Sequence, residues 1–309
     1  MGPRMSVPTF SVVIPVFNQE RYLEETLLSV LNQDGVDFEV VAINDGSTDR
    51  SGEILKRYAE RLVLVEQPNM GLQQVRNIGI QKAKGKLIAF LDADDRFLPG
   101  HLAKMQAFQQ EHPEALGFYG DVQLIDPEGG KLWVQRTPRA ASLDNLVLGN
   151  YVVHSSVMLR TSFFERAEPY RPFGPASDWE LWLRVLERGP MLHYPWLGGE
   201  YRTHPVSAIH QNLLETEVCS LKVLEDFFSR HKELALELQS KAYAMVYYDS
   251  MVRFLAAGQG REAGARAMNC LRREPLLLKA WAGLGLSFAP RPLTRLFVSL
   301  RRKFLRSLA

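Results

Sequence analysis

Residues 10–17 read FSVVIPVF, an almost unbroken apolar run rich in β-branched side chains. A strand with no polar face is one covered on both sides, as strands of a parallel sheet are. Working outward, Asn18 offers an N-cap for a following helix whose Leu23, Leu27, Val30 and Leu31 share one face. Residues 37–44 (DFEVVAIN) predict a second strand. Residues 48–61 predict a second helix with Ile54, Leu55 and Tyr58 turned inward, and residues 62–66 a third, short strand. Residues 71–83 and 86–91 repeat helix and strand once more. Strands separated by helices of this length form right-handed βαβ units, so the expected fold is α/β, a mainly parallel sheet flanked by helices.

The 309 residues, 46% hydrophobic and 23% charged, are those of an ordinary globular protein of one large or two modest domains. No apolar run approaches the ~20 residues that cross a bilayer, and no apolar signal segment opens the chain. Cys219 and Cys270 do not make a disulfide scaffold, and no Cys/His spacing suits zinc, so a reducing, cytoplasmic setting is expected. The net charge of +2 hides an asymmetry: residues 291–309 carry Arg291, Arg295, Arg301, Arg302, Lys303 and Arg306 and no acid. The remainder is acidic, which argues against a nucleic-acid partner. Met1-Gly2 with Ser6 meets a short acylation pattern, but Pro3 interrupts it, and residues 1–9 read as a loose tail.

In open α/β sheets, ligands bind beyond the carboxyl ends of the strands. Here the first strand ends at Pro15-Val16-Phe17-Asn18, the second at Asn44-Asp45-Gly46-Ser47-Thr48-Asp49, and the fourth at Asp92-Ala93-Asp94-Asp95. Each piece alone is ordinary turn or capping chemistry. Together they set three polar clusters on one edge. Carboxylates as dense as Asp92, Asp94 and Asp95 repel unless a divalent cation or solvent relieves them. Mg²⁺ or Mn²⁺ takes one or two carboxylates and completes its shell with phosphate oxygens and water, so a phosphorylated ligand is expected.

FSVVIPVFNQERYLEETLLSVLNQ, FEVVAINDGSTDRS and NMGLQQVRNIGIQKAKGKLIAFLDADDRFLPG, spanning residues 10–101, resemble the nucleotide-sugar-binding half of family 2 glycosyltransferases. The resemblance implies a GT-A (nucleotide-diphospho-sugar transferase) fold. It places Asp45 and Arg76 at base-contacting positions and Pro15, Phe17 and Glu20 around the nucleoside. Asp94 matches the metal-binding Asp of the DxD motif, Asp92 the member facing ribose or sugar, and Asp95 is a weaker match. A phosphatase also carries DxD after an apolar strand, but expects Thr or Val where this chain has Asp95.

Residues 102–210 supply the acceptor half of a domain spanning 10–210. Short strands and turns (GFYGDVQLID, KLWVQ, VVHSSVMLR) precede ASDWELWLR at 176–184. The family has an ED pair here; this chain has Ser177-Asp178. Asp178 thus matches the general base, with a helix N-cap as its plainer reading and Glu180 as the alternative carboxylate. YRTHPVS at 201–207 resembles the family's element over the diphosphate, making Arg202 and His204 candidate phosphate contacts. The implied activity is inverting transfer of a sugar from a UDP-linked or other nucleotide-diphosphate donor, with Mg²⁺ or Mn²⁺. The acceptor is a hydroxyl on a glycan or lipid-linked molecule, in surface polysaccharide or lipopolysaccharide assembly. The alternative is a non-catalytic nucleotide-sugar-binding or assembly protein.

Residues 211–309 read as helical, with a single helical hairpin turning at Pro275. Within 292–308, Leu293, Leu296, Phe297, Leu300, Phe304 and Leu308 share one stripe opposite Arg295, Arg302 and Arg306. Such a helix suits an anionic membrane surface and a peripheral location at the inner face of a membrane.

Overall fold

In the computed structural model, residues 7–203 and 212–289 are described. Strands β1 (Phe10–Val16), β2 (Phe38–Asp45), β3 (Val63–Gln67) and β4 (Leu87–Phe90) alternate with helices α1 (Leu23–Leu31), α2 (Ser51–Arg57) and α3 (Leu72–Lys82). After β5 (Arg96–Phe97) and α4 (His101–Glu111) come β6 (Gly117–Ile125), β7 (Lys131–Gln135), α5 (Leu143–Leu146), β8 (Met158–Arg160), α6 (Thr161–Phe164), α7 (Ser177–Leu186) and β9 (Met191–Arg202). The sheet runs β3-β2-β1-β4-β8-β6-β9-β5, with β7 beside β6. Pairings among β1 to β4 are parallel. The later strands mix directions: β8 lies antiparallel to β4 and β6, whereas β9 runs parallel to β6.

The apolar runs are buried as their composition requires. Every residue of β1 is buried, and so are Leu23, Leu27, Val30 and Leu31 of α1. Helix α3 lies close over β1 and β2 because Gly79 has no side chain: a Cβ there would meet Val13 Cγ1 at 2.3 Å and Ile43 Cδ1 at 3.0 Å. On the far part of the sheet, buried Asp121 of β6 accepts from the Thr137 N–H at 2.9 Å and meets His193 Nε2 of β9 at 3.0 Å.

Local differences from the sequence reading have physical causes. Asn18 does not cap α1; Tyr22 holds that position, and Asn18 adopts φ 52°, a left-handed conformation that Asn tolerates. The second helix stops at Arg57 and gives way to a 3₁₀ turn, Ala59–Arg61. Pro8 and Thr9, expected within a loose tail, are held at the start of β4: their carbonyls accept from Lys86 and Leu87 N–H at 3.1 and 3.0 Å.

The chain divides into two compact units, and not at a single point in sequence. Unit one comprises residues 1–141, 151–172 and 184–204; unit two comprises 142–150, 173–183 and 205–309. The segment bearing Asp178 therefore groups with the helices and not with the sheet. In unit two, α8 (Leu213–Arg230), α9 (Leu236–Ala256), α10 (Gly260–Arg273) and α11 (Leu278–Ser287) enclose a core that includes Ala244, Met251, Phe254, Ala263, Ala267 and Cys270. Buried Glu217 accepts from Ser250 Oγ and from Arg266 Nε, the latter at 2.8 Å, tying three of these helices by one carboxylate.

Candidate functional site

The loops after β1 and β2 are stitched together by backbone-to-side-chain bonds. The Asn18 N–H donates to Ser47 Oγ (3.1 Å), Thr48 N–H to Asn18 Oδ1 (2.8 Å), Gln19 N–H to Ser51 Oγ (2.8 Å) and Glu20 N–H to Asp49 Oδ2 (2.9 Å). Polar residues that read as isolated turn formers thus make one shared edge. Pro15 lies within β1 opposite Ile43, and Phe17 emerges 45% exposed, which removes it from the core. The Glu20 carboxylate accepts from Arg50 N–H (3.1 Å) and Nε (3.0 Å), and these bonds hold it below the usual carboxylate range.

Asp45, at the end of β2, is buried. It accepts from Gln67 Nε2 (2.8 Å) and from the N–H groups of Met70 (2.8 Å) and Gly71 (3.0 Å). A carboxylate offers about four acceptor positions, so these bonds leave room for one more donor. They also fix the turn into α3, the helix that carries Arg76.

Arg76 is buried and donates to Asp92 Oδ1 at 2.7 Å, with its guanidinium 5.5 Å from the Tyr170 ring centre. The same terminal nitrogen lies 3.3 Å from His154 Nδ1. Guanidinium only donates, so Nδ1 is the acceptor; Nε2 then carries the proton and faces Tyr170 Oη at 2.8 Å. Burial, reinforced by Arg76, lowers His154 to about 3 and keeps the ring neutral, although Asp92 opposes this. Burial pushes Asp92 upward, but the Arg76 guanidinium outweighs it and holds the carboxyl below its ordinary range. His154 and Tyr170 escaped the sequence reading: their partners lie 78 and 16 residues away, and no local motif marks them.

The three carboxylates after β4 have separate environments. Asp92 pairs with Arg76. Asp95 is fully buried; Ser155 Oγ donates to Oδ2 at 2.5 Å and the Arg202 N–H to Oδ1 at 2.8 Å. Burial, with Asp94 and Asp92 beside it, keeps Asp95 well above the ordinary range. Asp94 is partly buried. The single hydroxyl proton of Thr26 in α1 is shared between the Ala93 and Asp95 carbonyls, 2.9 and 2.8 Å from Oγ1, which pins the loop.

Arg202 differs from the expected phosphate contact. Its guanidinium is buried, donates to the carbonyls of Asp94 (2.9 Å) and Pro127 (3.0 Å) and to Glu25 Oε2 (2.8 Å), and lies 4.5 Å from the Tyr22 ring centre. With its donors committed in this way, it is a clamp on the Asp94 backbone. His204 and the whole 292–308 segment lie outside the described residues.

Asp178 is the second residue of α7, not its cap. One oxygen accepts from the Trp179 N–H at 2.8 Å and the other from Asn150 Nδ2 at 3.0 Å. Ser177 Oγ donates to the Gly174 carbonyl at 2.8 Å, so it does not substitute for the family Glu. Glu180, the other acidic candidate, is buried at 1% exposure.

Among the described residues no three Asp, Glu, His or Cys side chains gather into a metal cage. That suits Mg²⁺ or Mn²⁺, which needs only one or two protein carboxylates beside phosphate and water. Asp92 and Asp95 are bound up with Arg76, Ser155 and Arg202, and Asp94 carries hard oxygens at the strand end, so the donor set fits such an ion through Asp94.

The sheet order and its flanking helices are those of the GT-A fold. A family model, Glycosyl transferase family 2, matches residues 11–165. A PGL/p-HBAD biosynthesis glycosyltransferase of Mycobacterium tuberculosis is 31% identical over 188 residues, covering 59% of this chain and 71% of that protein. The chain belongs to glycosyl transferase family 2. An uncharacterized glycosyltransferase of Haemophilus influenzae is 35% identical over 150 residues, 47% of this chain and 60% of that one. The match spans only 27% of the Bacillus subtilis glycosyltransferase EpsJ. The fold resembles the crystal structure of S. aureus TarS 1–349 in complex with UDP-GlcNAc, with a TM-score of 0.63, 18% identity and coverage of 96% of this chain and 92% of that one. It also resembles the mannosyltransferase PcManGT from Pyrobaculum calidifontis in complex with GDP-Man and Mn²⁺, with a TM-score of 0.58, 17% identity and coverage of 94% and 88%.

Proposed function

We propose that the chain is an inverting, metal-dependent glycosyltransferase using a UDP-linked sugar. The observation that carries this reading is the partly buried Arg76–Asp92 ion pair beside Asp94, at the carboxyl end of a parallel strand. Asp45 and Arg76 together offer an acceptor and a donor, the combination a uracil edge requires, with Pro15, Phe17 and Glu20 around the nucleoside. Asp92 faces ribose or sugar. Asp94 would hold Mg²⁺ or Mn²⁺, whose chemistry would be to offset charge on a departing diphosphate. Arg202 keeps the Asp94 backbone in place, and His204 is the phosphate contact that the YRTHPVS element still offers.

Asp178 is the general base. As the acceptor oxygen bonds to the anomeric carbon, its proton passes to the Asp178 carboxylate and the bond to the nucleotide diphosphate breaks. Asn150 and the Trp179 N–H orient that carboxylate. The acceptor is a glycan or lipid-linked hydroxyl, and residues 292–308 rest on anionic membrane from the cytoplasmic side. No helix among the described residues is long and apolar enough to cross a membrane. The Ser177 departure favours one second reading, a binding or assembly protein that keeps the donor site without transfer.

A thermal-shift panel of UDP-, GDP- and other nucleotide-sugars with Mn²⁺ tests the donor assignment, because a selective ligand raises the unfolding temperature by mass action. A UDP-sugar is expected to give the largest metal-dependent shift. A flat panel would reject the donor site; a shift without any product from glycan or lipid-linked acceptors would favour the binding protein.

A further inference from the structure

The turn between α10 and α11 places leucines where solvent exposure is greatest. Leu276 is 90% exposed, Leu278 80% and Trp281 53%. The Leu277 N–H donates to the Glu274 carbonyl at 3.2 Å, closing a four-residue turn with Pro275 and Leu276 at its corners. Pro suits the first corner, and the second, with no positive φ, accepts most residues, so turn chemistry does not select a leucine there. Leu276 therefore has neither turn chemistry nor burial to account for it. Leu277 packs against the helical core, so the leucine triplet splits into one residue inward and two outward.

The frame behind these leucines is rigid. Trp281 Nε1 donates across the turn to the Pro275 carbonyl at 2.8 Å. Ser240 Oγ donates to the Arg273 carbonyl at 3.1 Å, and the Arg273 guanidinium sits 4.6 Å from the Tyr243 ring centre. Arg272, Arg273 and Lys279, all exposed, flank the tip against a single acid, Glu274.

Area and shape decide what covers this tip. Two leucines and half an indole present on the order of 400 Å² of apolar surface, about half of the ~800 Å² per partner of a stable protein interface. The surface is also a convex corner, which a protein partner would have to match with a hollow. A lipid interface receives a convex apolar tip without a matching shape. Tryptophan favours the headgroup layer, and Arg and Lys stems lie along apolar surface while their charges reach anionic headgroups. Because the turn is already ordered, little conformational freedom is lost on insertion.

We propose that the 275–281 turn inserts into the interfacial layer of an anionic lipid bilayer. The inference rests on unit two alone and requires neither donor binding nor residues 292–308. It is tested by co-sedimentation of the full chain with mixed phosphatidylcholine–phosphatidylglycerol vesicles and with pure phosphatidylcholine vesicles. The unsubstituted chain is expected to bind the anionic vesicles preferentially, and added salt to weaken that binding. The double variant Leu276→Asp/Leu278→Asp is expected to lose at least about tenfold in apparent affinity, with an unchanged unfolding temperature and unchanged nucleotide-sugar shifts. The milder Leu276→Ser/Leu278→Ser should lose affinity in the same direction. The loss should persist when Arg295→Glu/Arg302→Glu is added, which separates the turn from the terminal segment. Absence of vesicle binding by the unsubstituted chain overturns the proposal, as does equal binding by the leucine variants. So does self-association in sedimentation equilibrium that those variants abolish, which would make a second copy the occupant.

Discussion

At the strand ends of the first unit, charged side chains are gathered on a loop edge; in the helical core of the second unit, the Glu217 carboxylate is interior while apolar side chains stand outside. Asp92 keeps 28% of its side chain exposed while paired to Arg76, whereas the Glu217 side chain is 8% exposed and bound by Ser250 and Arg266. Conversely, β1 is buried throughout, while Leu276 and Leu278 are almost wholly in solvent. The contrast separates two uses of charge. A carboxylate held at a sheet edge stays available to a ligand, whereas one enclosed among helices serves cohesion, and its loss leaves a buried partner unpaired.

Substitutions at the proposed catalytic carboxylates, Asp94 in the first unit and Asp178 in the second, should therefore destroy activity and spare stability. Asp94→Ala is expected to lower transfer by more than ~10³-fold and to remove metal-dependent UDP binding, since few protein ligands would remain for the cation. Undiminished turnover at saturating Mn²⁺ would break the assignment. Asp178→Asn is expected to lower the rate by ~10² to 10⁴-fold with donor affinity retained, as measured by single-turnover assay beside a binding titration. Near-native turnover in a folded, donor-binding variant would return Asp178 to a structural role and turn suspicion to Glu180.

The helical core of the second unit should behave in the opposite way. Glu217→Gln is expected to destabilise the chain by about 3 kcal/mol in urea unfolding, because Arg266 keeps its charge beside a neutral partner. Donor thermal shifts should survive. Loss of donor binding at a temperature where the variant is folded would show that Glu217 serves more than the cohesion of the helical core.

Much of this contrast was legible in the chain. A strand buried on both faces carries a continuous apolar signal, so 10–17 and 86–91 announced themselves, and the Asp92-Ala93-Asp94 run followed directly. Asn18 misled because its side chain bonds the Thr48 N–H of a neighbouring loop, 30 residues away, and not the start of α1. Arg202 misled for a related reason: its main partners are backbone carbonyls, which every residue has and no pattern marks. His154 was hidden in a stretch that reads only as strand.

The smallest effect concerns pH. Burial, helped by Lys104, lowers His101 to about 3, so the folded chain keeps the ring neutral while the unfolded chain protonates it near 6.5. The unfolded state then binds more protons across that window, and stability present above pH 6.5 is lost as pH falls toward 3. At pH 5 this histidine accounts for about 2 kcal/mol of the loss relative to pH 7. His101→Phe should flatten that part of the stability–pH curve, while Trp196 Nε1 loses its 3.2 Å acceptor at every pH. A slope unchanged by the substitution would assign the acid sensitivity to other groups.

Arg202 also sets an order of assembly. It reaches the Asp94 carbonyl across 108 residues and the Asp95 carboxylate across 107. At synthesis rates of about 5 to 20 residues per second, the acidic loop leaves the ribosome roughly 5 to 20 s before its clamp exists. During that interval Asp95 has no Arg202 N–H to receive it, and the loop stays hydrated while β1, β2 and β3 are already available to pair. The acidic edge therefore closes only when β9 docks, and a nascent chain halted before Arg202 should present the 92–95 loop to proteases that the finished protein resists.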